Sequence, residues 1–223
     1  MNQTSILQEV EDIISQIWLT IDQWMNTGDK LLSSEKSVVF NFAWQLQKTC
    51  QDRIELIDFE TNLFHDFSDG QFLDLFVLYR REDQLIRIGI EFKFPNKKKT
   101  NSGQTQVRPK IINDLKRLTW LVTNRGIDIG CFLCVTNEKD YVNQGKYKKN
   151  TDFLTHHGQT YAEGSFLPAN DLYKEPVRAL TDITFNWNHI QETQKKYEIV
   201  GAIYSFLEPI FIRNNELESA ATF

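Results

Sequence analysis

The sequence predicts an α/β fold in which a helix precedes three strands, a second helix and a further strand. Three observations carry this expectation. Val39, Phe42, Ala43 and Leu46 recur at i, i+3, i+4 and i+7, one apolar helical face. The runs 54–60, 72–80 and 85–94 read as strands, the last two joined by the turn RREDQ as a hairpin. Ile111, Leu115, Leu118 and Val122 then repeat a helical spacing before the short apolar run 131–135, which suits a buried strand.

The elements follow in order along the chain. Residues 6–25 carry Ile6, Val10, Ile13, Ile14, Ile17, Leu19, Ile21 and Trp24, a helical stripe that the polar segment NTGDK ends. Ser33 or Ser34, followed by Glu35 and Lys36, is an N-cap for the next helix. Glu35 lies four residues before Val39, at the N-terminal end of that helix's buried face. After the hairpin a polar, basic loop, PNKKKTNSGQTQ, leads into the crossover helix. Beyond residue 136 the pattern weakens: NEKDYVNQGKYKKN reads as a loop, and the remainder accommodates one or two helices and a strand. The chain divides as a single domain over 1–223, with an N-terminal helix in 1–30, a core in 33–136 and an elaboration in 137–223.

Composition narrows the function classes. With 41% hydrophobic residues, 25% charge and sixteen Phe among 223 residues, the chain has ample material for a folded core. No apolar run approaches the ~20 residues of a membrane helix. The N-terminus has neither a basic n-region nor a small-residue cleavage site. Cys50, Cys131 and Cys134 show no disulfide spacing, so a cytoplasmic setting is expected. A net charge of −5 excludes a histone-like coat of nucleic acid, which would be basic. Local patches remain: Lys97, Lys98 and Lys99; Arg108, Lys110, Lys116 and Arg117; and Lys146, Lys148 and Lys149. Each is either a phosphate contact or a solvated face.

The stretch IEFKF, at 90–94, holds the main chemical signal. Side chains alternate along a strand, so Ile86, Ile88, Ile90, Phe92 and Phe94 share one face. Leu85, Arg87, Gly89, Glu91 and Lys93 share the other, which places Glu91 and Lys93 together, away from the main apolar layer. A turn centred between Glu82 and Asp83 sets Asp74 opposite Glu91, with Cβ atoms ~4.5–5.5 Å apart. Two carboxylates that close repel, and a divalent cation resolves the conflict. Hard oxygen donors at this spacing suit Mg²⁺, which takes a couple of carboxylates plus waters and phosphate oxygens. The same spacing also accommodates a surface ion cluster in which Lys93 neutralises one carboxylate and Arg87 the other.

Asp74, then Glu91-Phe92-Lys93 on the next strand, within this order of elements, resembles the PD-(D/E)xK nuclease superfamily over residues 33–136. The resemblance implies a restriction-endonuclease-like αβββαβ core, a mixed central sheet flanked by helices. Leu73 stands where the family often has Pro. The family's first-helix glutamate matches Glu35, and Glu60 or Glu55 matches the acidic residue that several branches carry on the first strand. By this resemblance Asp74 and Glu91 hold Mg²⁺, or Mn²⁺ in its place, with the Phe92 backbone carbonyl as a further ligand. Lys93 faces the attacking water and the phosphate as electrostatic stabiliser or, with a lowered pKa, as proton acceptor. Glu35 is an outer or second-metal ligand, or simply favours the helix N-terminus. Substrate contacts fall to Lys97, Lys98, Lys99, Gln104, Arg108 and Lys110.

The implied activity is Mg²⁺-dependent hydrolysis of DNA phosphodiesters, with a homodimer for cutting both strands and no membrane partner. RNA as substrate and a catalytically inactive binding or regulatory module of the same fold are the alternatives. Several other features read as structural. Gln104 and Gln106 precede the crossover helix as loop residues or approach the site. Asp114 lies at helical spacing from Lys110 and Arg117, an ion network. Cys131 and Cys134 are small buried hydrophobes rather than a zinc or redox pair, and His156-His157 lies in a loop.

Overall fold

A computed structural model describes residues 3–63, 71–96, 104–144, 152–169, 176–189 and 203–213. Helix α1 (Gln3–Thr27) and helix α2 (Glu35–Cys50) lead into strands β1 (Ile54–Thr61), β2 (Leu73–Arg81) and β3 (Gln84–Lys93). Helix α3 (Gln104–Thr123) crosses over to β4 (Ile129–Thr136). The expected order of helix, three strands, helix and strand is thus present in 35–136. The fold is mixed α/β: β1, β2 and β3 pair antiparallel, β3 and β4 pair parallel, and helices flank the sheet.

Beyond residue 136 the described residues hold more strands than the one expected, and a short helix stands within the stretch NEKDYVNQGKYKKN that reads as a loop. They comprise the short helix α4 (Lys139–Val142) and strands β5 (Gln159–Tyr161), β6 (Ile183–Phe185), β7 (Ser205–Phe206) and β8 (Ile210–Arg213). Both β7 and β8 pair antiparallel with β4, so residues 205–213 cover that strand's other edge, while β5 and β6 form a separate ribbon. Strands of two to four residues leave too few alternations for a period to register in the sequence.

The sheet is covered on both faces. On one, α1 and α2 pack Ile14, Ile17, Trp18, Ile21, Phe42 and Leu46 against Val77, Ile88, Ile90 and Phe92. Trp18 belongs to this layer, whereas Leu19 is exposed, so the α1 stripe turns slightly from the sequence reading. Phe92 anchors β3: its ring makes edge contacts with Phe42 at 5.3 Å and Trp18 at 6.3 Å between centroids. On the other face α3 packs Ile111, Leu115 and Leu118 with Phe132 and Cys134. This second layer corrects the view that Glu91 and Lys93 point away from the core: they lie under a helix. Cys131 and Cys134 are buried on opposite faces of β4, one in each layer, as unreactive filling.

Gly89 leaves room for the Ile127 and Leu73 side chains to pack against β3. A Cβ there would stand 2.7 Å from Ile127 Cδ1 and 3.2 Å from Leu73 Cδ2. Gly89→Ala is expected to lower stability by about 1–3 kcal/mol through overpacking, measured as a shift in the urea midpoint.

Candidate active site

The hairpin register is the one the sequence predicts. Pairing runs from Arg81↔Gln84 to Leu75↔Ile90, which brings Asp74 next in line with Glu91. The turn is only Glu82-Asp83, and Glu82 supplies the left-handed conformation it needs with φ 54°. Asp74 Oδ2 accepts the Phe92 N–H at 2.7 Å, so the first carboxylate is fixed to the strand that carries the second.

Glu35 joins them from α2. Ser34 caps that helix: its hydroxyl accepts the Ser37 N–H, and Ser37 Oγ accepts the Ser34 N–H. Glu35 is therefore in the first turn, where a carboxylate is favourable. Its Oε2 also accepts the Phe94 N–H at 2.9 Å, which ties α2 to the end of β3. Glu35 thus stands in the first turn of α2, with Ser34 as the cap, and its carboxylate reaches the end of the strand that carries Glu91.

Two further members come from α3. Asp114 Oδ2 lies 2.7 Å from Lys93 Nζ, and Asp114 Oδ1 lies 2.6 Å from Arg117 Nη2. Arg117 donates to Glu91 Oε1 from both Nε (3.1 Å) and Nη2 (2.7 Å), and to Gln71 Oε1 at 2.7 Å. The predicted ion network of Asp114 keeps Arg117 but exchanges Lys110, which is exposed, for Lys93. The surface cluster of Lys93 with Arg87 does not form, because Arg87 is taken by Asp128 at 2.7 Å. The signal for Asp114 and Arg117 lay in the sequence: both fall on or beside the apolar stripe that includes Ile111, Leu115 and Leu118. A charged residue on a buried helix face needs a partner.

Other expected contacts fare differently. Arg108 is buried, donates to the Asp140 carbonyl and stacks over Tyr141, so it is not available to a phosphate backbone. Lys116, placed with it in a basic patch, is buried too. Gln104 and Gln106 lie in the first turn of α3 rather than in a loop. Their polar neighbours read as loop, whereas the helix extends ahead of the apolar stripe and includes Pro109. Lys110 is exposed. Lys97, Lys98 and Lys99, like Lys146, Lys148 and Lys149, lie outside the described residues. The Phe92 carbonyl accepts from Lys93 Nζ at 3.1 Å.

Burial and charge shape the ionisation. Burial pushes the Glu91 carboxyl well above its usual range; Arg117 opposes this, while Asp114 and Asp74 add to it. Burial likewise raises Glu35, opposed by Lys93 and the Phe94 N–H. Around Lys93, burial acts against the ammonium, but Asp114, Glu35, Glu91 and Asp74 outweigh it and hold its pKa above the ordinary lysine value. A role as proton acceptor needs a lowered pKa, and the four carboxylates around the amine act the other way.

The raised carboxyls have a consequence for pH. A carboxyl with a higher pKa folded than unfolded adds stability below its unfolded value, about 4.3 for Glu. That contribution is lost as pH rises through the folded pKa. The protein is expected to lose stability through Glu91 and Glu35 as pH rises through the range above about 4.3, the unfolded value. Glu91→Gln should flatten this slope in denaturation series across that range.

The cluster's donor set fits a hard divalent cation. Asp74, Glu91, Glu35 and Asp114 against Lys93 and Arg117 leave two uncompensated negative charges when all are ionised. Glu91 Oε2 is buried with no hydrogen-bond partner among the described residues. Asp74 and Glu35 each use one oxygen on a backbone N–H, leaving the other outside those bonds. Among the described residues, no group of three or more His, Cys, Asp or Glu side chains is already gathered at metal-binding distance. Lys93 and Arg117 take up part of the charge that an ion would. No helix among the described residues is long and apolar enough to cross a membrane. Compared with known proteins, the chain matches no family model, and no curated protein or solved structure matches it.

Proposed function

We propose that the protein is a divalent-metal-dependent nuclease that hydrolyses DNA phosphodiester bonds, built on a restriction-endonuclease-like core. The observation that supports this most is that Asp74, Glu91 and Glu35 all lie near enough to the buried Lys93 ammonium for their charges to act on it, with Asp74 and Glu35 held on the backbone of the strand that carries Glu91 and Lys93. Asp74 and Glu91 would hold Mg²⁺ or Mn²⁺, with Glu35 as an outer or second ligand. A metal held there polarises the phosphate and makes water a better nucleophile. Lys93 contributes a positive charge that suits stabilising the charge developing on the phosphate; to take the proton it would need a lowered pKa, and the carboxylates around it act the other way. Asp114 and the Phe92 carbonyl aim that ammonium. Arg117 holds one oxygen of Glu91 and leaves the other for a ligand.

A second reading, a nuclease fold that binds without cutting, draws on the full burial of Glu91 and its tie to Arg117. Calorimetric titration with Mn²⁺ separates the two. The nuclease reading expects saturable binding that Asp74→Asn and Glu91→Gln abolish. Binding absent from the unaltered protein, or unaffected by both substitutions, would sink it.

A further inference from the structure

Beside the carboxylates lies a cleft of about 370 Å³, lined by Glu35, Lys36, Val39, Phe40, Phe59, Glu60 and Asp74. It falls within the size range of ligand sites. Its walls are an unusual mixture. Phe40 lies off the buried stripe of α2 and is 60% exposed; Phe59, on the edge strand β1, is 46% exposed. Single exposed apolar side chains are ordinary. Here two aromatic rings, from different elements, line one cleft with two carboxylates of the candidate site. Phe59 is the strand partner of Leu75, one residue from Asp74, and Phe40 is five residues along α2 from Glu35. Lys36, ion-paired with the exposed Glu60 at 3.0 Å, is the cation among the lining residues.

We infer that this cleft takes an unpaired nucleobase, stacked against Phe40 and Phe59, and hence that the substrate is presented to the site as a single strand. The inference rests on the nuclease reading and adds the substrate class to it. The chemistry selects the occupant. A phosphate is repelled by Glu35, Glu60 and Asp74, so the nucleic-acid backbone does not enter the cleft except through a metal ion. A base is uncharged and offers a π-face, which aromatic side chains bind with little regard to sequence. In a duplex that face is covered by neighbouring base pairs; an unpaired or splayed base exposes it. A nucleotide whose phosphate lies at Asp74 has its base within reach of the adjoining aromatic walls.

The test measures binding of one labelled oligonucleotide, single-stranded and as its duplex, to the full chain with Ca²⁺ in place of Mg²⁺ to hold off cleavage. Phe40→Ala and Phe59→Ala are each expected to weaken single-strand binding about 10- to 100-fold. Phe40→Tyr should keep it, and Mn²⁺ affinity by calorimetry should stay unchanged in all three variants. The unaltered protein should prefer the single strand. Equal affinity in the alanine variants, tighter binding of the duplex, or no oligonucleotide binding overturns the stacking site. Unchanged single-strand binding in the alanine variants with Mn²⁺ binding intact overturns this inference alone, whereas absence of Mn²⁺ binding overturns the nuclease reading beneath it.

Discussion

Lys93→Ala is expected to lower metal-dependent cleavage by about 10²–10³-fold, the usual cost of removing one preorganised stabiliser of transition-state charge. The same variant should bind Mn²⁺ at least as tightly as the unaltered protein. The reason is electrostatic: the Lys93 ammonium sits 2.7 Å from Asp114 and competes with an incoming cation for the field of the same four carboxylates. A structural role alone would reduce both properties together. Cleavage and metal affinity moving in opposite directions would mark Lys93 as a group acting on the reacting phosphate. Kinetics on the purified variant beside a calorimetric titration supply both readouts, and undiminished cleavage would remove Lys93 from the chemistry.

The second large effect concerns stability. Arg117→Ala should cost about 3–5 kcal/mol, because it strips the counter-charge from a carboxylate with no solvent access. Glu91 is fully buried, and Arg117 meets its Oε1 with two N–H groups while also reaching Asp114 and Gln71. Without Arg117, Glu91 must take a proton or remain an unpaired buried charge. The penalty should accordingly be smaller at pH 5 than at pH 8, since protonation is easier at the lower pH. Adding Glu91→Gln to the Arg117→Ala chain should recover a substantial part of the loss, because the uncompensated charge then disappears. Urea denaturation of the two single variants and the double variant at both pH values measures the coupling.

The hairpin was the most legible part of the fold. Period-two alternation fixes which residues share a face, and the turn at Glu82-Asp83 then fixes register, so the approach of Asp74 to Glu91 follows from counting. Glu35 was legible for a similar reason: the capping serine and the apolar stripe of α2 place it at a helix start beside the sheet. What the sequence concealed was the cover over the second face. Alternation says that Glu91 and Lys93 point the same way, but not whether that side meets water or a helix. Since α3 lies there, Arg117 and Asp114 became members of the cluster, and Lys93 gained surroundings that hold its proton.

The basic stretch ahead of the crossover helix shows the complementary difficulty. Arg108 and Lys110 are two residues apart, so in a helix they face different directions; one is buried over Tyr141 and the other exposed. Charge counted along the chain cannot distinguish them. Phe40 and Phe59 were hidden likewise: a phenylalanine in a helix or strand reads as core, and only the finished packing shows these two left open beside Glu35 and Asp74. The C-terminal strands were obscured by their brevity, although β7 and β8 complete the pairing of β4.

The central claim is that Asp74, Glu91 and Lys93 form a metal-dependent phosphodiester-cleaving site. Its most direct test is incubation of the purified protein with single-stranded, duplex and branched DNA in Mg²⁺ or Mn²⁺, with a chelator control and an Asp74→Asn control alongside. Cleavage that requires the metal and disappears with Asp74→Asn is the predicted result. No cleavage of any substrate with either metal, or cleavage that persists in the Asp74→Asn protein, would contradict it.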